Sequence, residues 1–117
     1  MPQKITRADT PLTEFSTERA LVHLKQIAKK PHFVGTAEHK KVQDYIVGEL
    51  EKLGLNTEIQ QQVALNKKWR AGTTTQNIIA KIKGTSNSKA LLLLTHYDSA
   101  VHSSLGASDA GSGVVTI

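Results

Sequence analysis

Three residues near the carboxyl end of the chain have the types and spacing to hold a cation: His96, Asp98 and Asp109. Imidazole nitrogen and carboxylate oxygen together form a ligand set that suits zinc in hydrolytic sites. Asp98 follows His96 by two, so both side chains leave the same face of an extended chain. There Asp98 can orient the imidazole as an outer partner. Asp109 lies 109 − 96 = 13 positions further on, across a loop. Its two oxygens can bridge two cations about 3.5–4 Å apart.

These residues need a frame. Leu91, Leu92, Leu93 and Leu94 run together and stop at Thr95-His96-Tyr97-Asp98. A short apolar run with polar ends predicts a strand buried on both faces of a parallel or mixed sheet. The polar cluster then stands at the strand's carboxyl end, where ligands bind in open α/β sheets. Gly106, Gly111 and Gly113 let the backbone turn sharply around Asp109. Val114 to Ile117 then start a helix, whose amino end favours a carboxylate nearby.

With these words in place, the stretch resembles the M28 family of zinc-dependent exopeptidases, which includes many aminopeptidases. That family carries a strand ending in His-x-Asp-Ser, then a loop ending in Gly-Ala-x-Asp-(Asp/Asn)-x-Ser-Gly before a helix. Here the words are His96-Tyr97-Asp98-Ser99 and Gly106-Ala107-Ser108-Asp109-Ala110-Gly111-Ser112-Gly113. Ala110 departs from the polar residue usual in the family, at a position that is not a ligand.

The resemblance implies two zinc ions per complete site, with His96 on one, Asp109 bridging both, and Asp98 supporting the imidazole. It also implies a general-base Glu and further acidic and His ligands beyond the helix that begins here. On that reading residues 15–117 are the amino-terminal portion of one peptidase domain, inactive alone and cut from a longer secreted or membrane-anchored parent. The substrate would be a peptide, and any membrane would be met through other parts of that parent. Residues 16–60 resemble the peptidase portion of membrane-anchored members of the vacuolar or endoplasmic-reticulum type. Two alternatives stand beside this: a non-catalytic M28-like interaction domain, and a glutaminyl cyclase with a single zinc on a related fold.

The rest of the chain reads as α/β, a mixed sheet flanked by helices and incomplete as a zinc-exopeptidase (phosphorylase/hydrolase-like) fold. Residues 1–14, with Pro2 and Pro11, read as an extended lead-in. Ser16 or Thr17 caps a helix through Ala20, Leu21, Leu24, Ile27 and Ala28, which Pro31 ends. A second helix is predicted over 37–53, with Val42, Tyr45, Ile46, Leu50 and Leu53 as its stripe and Gly54 as its stop. Alternation from Leu55 to Val63 predicts a half-buried strand. A loop over 66–75 leads to a second strand over 76–83, paired with the first as a hairpin. Residues 84–88 read as a polar turn into the leucine strand.

Composition narrows the function classes. The chain has 117 residues, enough for one domain at most. No apolar run approaches the ~18 residues of a membrane span. The start lacks the apolar core of a signal peptide. The net charge of +5 comes from scattered lysines and arginines with few aromatic residues, which argues against a nucleic-acid surface. The absence of cysteine excludes disulfides and thiolate metal sites.

Two other motifs fail. Ser112 and Gly113 stand where a phosphate loop needs its lysine and hydroxyl. Ser108 lies too far past the leucine run to be the nucleophile of a strand-tip elbow. His102 reads as an exposed loop residue bordering the pocket, and His23, His32 and His39 as structural or exposed. A leucine strand short of its neighbours also predicts self-association or marginal stability.

Overall fold

A computed structural model describes residues 5–86 and 89–117. The first four residues of the expected lead-in, and Asn87 and Ser88 of the expected turn, lie outside them. Helix α1 spans Thr17–Ile27 and helix α2 Ala37–Lys52. An antiparallel hairpin, β1 Thr57–Asn66 and β2 Ala71–Ala80, is followed by an extended segment, a wide turn and the short helix α3, Ser112–Thr116.

Both long helices start as their sequences dictate. Ser16 Oγ accepts the amide of Arg19 at 3.2 Å, and Thr36 Oγ1 accepts that of His39 at 3.1 Å. Each hydroxyl thereby satisfies a first-turn N–H that has no helical acceptor. Glu18 and Glu38 lie in the first turns, and Lys25 and Lys52 in the last, which suits the helix dipole. Gly54, at φ +79°, ends α2 in the left-handed region.

Residues 5–14, expected to be extended, instead curl over the start of α1. Arg19 causes this: its guanidinium donates to the carbonyls of Ala8, Thr10, Pro11 and Glu14. One cation satisfies four acceptors that Pro11 and the turns leave outside any ladder.

The hairpin pairs Thr57 with Ala80 and Asn66 with Ala71. It is longer and tighter than expected. Gly72-Thr73-Thr74-Thr75, read as loop, forms strand, while residues 81–83, read as strand, do not. The β-branched threonines suit the pleat, and the turn shrinks to residues 67–70. The expected half-burial of β1 fails too. Beyond Thr57 its residues are exposed on both faces.

The leucine strand is the largest correction. Residues 91–94 join no ladder, and all four leucines are exposed, Leu91 at 87% and Leu94 at 84%. Among the described residues the sheet has two strands, β1 and β2, which pair with each other. With no neighbour on either edge, the run has neither the hydrogen bonds nor the cover that a buried strand needs.

The chain is α/β, and its core is small. Ala20, Ile27 and Val42 are its buried apolar residues, and Ser16, His32, His39, Gln43 and Ser99 are buried beside them. Every buried side-chain nitrogen or oxygen among the described residues has a hydrogen-bond partner. Helix α1 packs against the wide turn and α3, while α2 packs against α1 and both strands.

Candidate metal centre

Side chains of residues 96–99 alternate between two faces although this segment belongs to no sheet. Tyr97 and Ser99 point into the molecule. The Tyr97 hydroxyl donates to the Gln76 carbonyl at 2.7 Å and accepts from Gln43 Nε2 at 3.1 Å. Its ring stacks on His39 at 4.7 Å. Ser99 Oγ accepts the His32 amide at 2.8 Å, and the Ser99 amide donates to the His32 carbonyl at 3.3 Å. His32 in turn donates from Nδ1 to the Lys30 carbonyl at 2.8 Å. The period of two therefore sends His96 and Asp98 to the outer face.

The loop returns to meet them. Gly106, at φ +64°, turns the chain, and the Gly111 amide closes a wide turn on the Gly106 carbonyl at 2.8 Å. A side chain at Gly106 would meet Ser99 Cβ at 3.0 Å and His32 Cε1 at 3.3 Å, so only glycine fits. Within this turn Asp109 has φ −129° and ψ 86°, and the Asp109–Ala110 peptide is cis. The Asp109 carboxylate reaches back across the loop to His96.

His96 and Asp109 converge there. His96 Nε2 lies 2.9 Å from Asp109 Oδ1. On the other side of the ring, Nδ1 lies 3.2 Å from the Asp98 carbonyl and 3.3 Å from Asp98 Oδ1. Carbonyl and carboxylate oxygens only accept, so both ring nitrogens carry a hydrogen in this arrangement; when the ring is neutral, Asp98 keeps the hydrogen on Nδ1 and Nε2 is the nitrogen that presents a lone pair. Partial burial disfavours a charged imidazole, but the Asp109 hydrogen bond, the Asp98 carbonyl and both carboxylates outweigh it. The His96 pKa rises above its ordinary value.

All three side chains are partly or largely open to solvent. Among the described residues no three His, Asp or Glu side chains gather closely enough to cage a cation. His96 and Asp109 make a pair, with Asp98 behind the imidazole.

The other histidines take structural places. His32 and His39 are buried, and burial is the first reason that the His39 pKa is lowered. His23 bonds through Nδ1 to the Tyr45 hydroxyl at 2.8 Å, joining α1 to α2. His102 is exposed on the loop. Sequence reasoning missed Tyr97, Gln43, Gln76 and the Ser99–His32 pair. The alternation that put His96 with Asp98 also put Tyr97 with Ser99 on the inner face, but their partners are remote in sequence.

Residues 77–117 match the family model described as Peptidase family M28. The matched segment, similar to that family, is less than half of the chain. It contains His96, Asp98 and Asp109. Over 121 aligned residues the chain is also 29% identical to a protein named vacuolar membrane protease from Candida tropicalis. That alignment covers 93% of this chain and 13% of the relative, so the chain spans a small part of that protein's length. Among the described residues no helix is long and apolar enough to cross a membrane.

Proposed function

We propose that this M28-like segment supplies part of a co-catalytic zinc site in an aminopeptidase, with His96 and Asp109 as cation ligands and Asp98 as the group that orients His96. The observation that carries this reading is the convergence of His96 Nε2 and Asp109 Oδ1 at 2.9 Å, with the opposite ring nitrogen held by Asp98.

The donor set fits the ion. Tetrahedral zinc with bonds of about 2.0–2.1 Å holds neighbouring ligand atoms about 3.4 Å apart. The observed pair is closer by roughly 0.5 Å, as expected where a proton rather than a cation lies between nitrogen and oxygen. The tautomer fixed by Asp98 leaves Nε2 as the donor atom. Asp109 keeps a second oxygen for a second cation. The exposure of the pair leaves its outer side open for further ligands and a peptide.

Zinc, when bound, polarises a scissile carbonyl and lowers the pKa of water. This chain's residues do the holding: His96 gives up its Nε2 proton, Asp98 keeps the Nδ1 proton in place, and Asp109 supplies negative charge across the loop. Two ligands make a weak site, and we expect the 117-residue chain alone to hydrolyse no peptide.

The test compares a longer chain, carrying this segment and the further ligands that family resemblance implies, with its His96→Ala and Asp109→Asn variants. Zinc content and cleavage of an aminoacyl anilide are measured. Both should be lost together in the variants. A longer chain that binds no zinc and releases no amino-terminal residue would overturn the proposal.

A further inference from the structure

We infer that Tyr97 is a positioning residue: by locking the backbone between His96 and Asp98 onto α2 and β2, it fixes the geometry at which His96 meets Asp109. This rests on the metal-site reading for its purpose, but its geometry stands on separate contacts. Among the described residues, no backbone-to-backbone hydrogen bond holds residues 95–98; the nearest is from Ser99 to His32. The segment would be free to twist, and with it the directions of His96 and Asp98.

Tyr97 replaces the missing ladder with a side-chain clamp. Its hydroxyl is bonded on both sides, to Gln76 of β2 and Gln43 of α2, and its ring lies within 15° of parallel to that of His39. Gln43 Nε2 also donates to Gln76 Oε1 at 3.0 Å, so the two anchors brace each other. Gln43 and His39 are buried, which restricts their rotamers. Rotation about the backbone at residue 97 would break two hydrogen bonds and a stack together. Supporting groups behind metal ligands are what hold a constellation to sub-ångström geometry.

The test is Tyr97→Phe in the 117-residue chain, which keeps the ring and removes both hydrogen bonds. Imidazole nitrogen shifts of His96, read by NMR, report whether Nδ1 and Nε2 remain bonded to Asp98 and Asp109. The expected result is a move of both shifts toward those of an unrestrained histidine. Zinc affinity should fall about tenfold, the lower end of losses seen for groups that orient metal ligands.

Ile27→Val, in the core beneath α1, should lower the melting temperature without moving the His96 shifts. Gln43→Met, which retains the Tyr97–Gln76 bond, should move them in the same direction by less, and decides the matter if Tyr97→Phe does not fold. Unchanged His96 shifts in a folded Tyr97→Phe protein, or in Gln43→Met where Tyr97→Phe is unfolded, would overturn the inference. Failure of the longer chain to bind zinc would overturn the metal reading instead, and the shifts would still decide the clamp.

Discussion

His96 Nε2 lies 2.9 Å from Asp109 Oδ1, although the two residues flank a loop and neither is held in a sheet. In the cation-free protein a proton occupies the line between them. The folded His96 pKa is raised, so the stabilisation from this pair is complete below the unfolded value near 6.5 and disappears as pH climbs through the folded value. On the proposed reading zinc displaces that proton, so its affinity has the opposite slope. Calorimetric titration at several pH values should show affinity rising with pH by up to about tenfold per unit until the ring is neutral, then levelling. Proton release, read from the buffer dependence of the heat, should fall across the same range. Affinity independent of pH would remove His96 from the ligand set.

Asp98 acts on His96 through two different atoms, and substitution separates them. Asp98→Asn keeps the backbone carbonyl at Nδ1 and therefore the tautomer. It removes a carboxylate oxygen 3.3 Å from the ring. The His96 midpoint should drop toward its ordinary value while Nδ1 remains the protonated nitrogen. Both are visible in one NMR titration. Zinc affinity should decrease by roughly 10- to 100-fold, the range for lost outer partners of ligating histidines. A midpoint that does not move would show that the carbonyl alone supports the ring.

The convergence of His96, Asp98 and Asp109 was more legible in the sequence than the frame that carries it. His96, Asp98 and Asp109 could be named because a period of two and a glycine-rich turn are local signals. The cap at Ser16 was equally local, and helix α2 lies within one residue of its expected span. The leucine run misled because an apolar tetrad signals burial only if partners exist. Among the described residues the sheet ends at β2 and never reaches it. The threonines of β2 were hidden by Gly72 beside them, which reads as loop in isolation and as strand once Leu65 lies opposite. The Arg19 cage over residues 8–14 and the Tyr97 clamp join residues distant in sequence, so no window of local pattern contains them.

Gly106 tests whether the return of the loop is needed to bring Asp109 home. Its φ of +64° disfavours any residue with a Cβ, and the backbone there packs on both members of the Ser99–His32 pair. Gly106→Ala should destabilise the protein by about 2 kcal/mol from the left-handed conformation and the tight contact. Denaturant unfolding would measure this, and the His96–Asp109 contact should weaken in the same variant. An alanine protein as stable as the parent would mean that the turn relaxes into another conformation without loss.

The leucine run should govern how the chain behaves in solution. Four consecutive exposed leucines, with the backbone of 91–94 outside any ladder, combine an apolar patch with free hydrogen-bonding groups. Such a segment pairs with whatever strand is offered, and another copy of the chain offers the same one. Sedimentation velocity should therefore show association that increases with protein concentration. Leu92→Lys together with Leu94→Lys places charges on alternate positions, where like charges across a paired edge repel. That double variant should be monomeric. Both side chains are already exposed, so the Tyr97 bonds to Gln43 and Gln76 should survive and the fold with them. A parent chain that stays monomeric at every concentration would refute the idea, because exposed leucines without association require cover from within the same molecule.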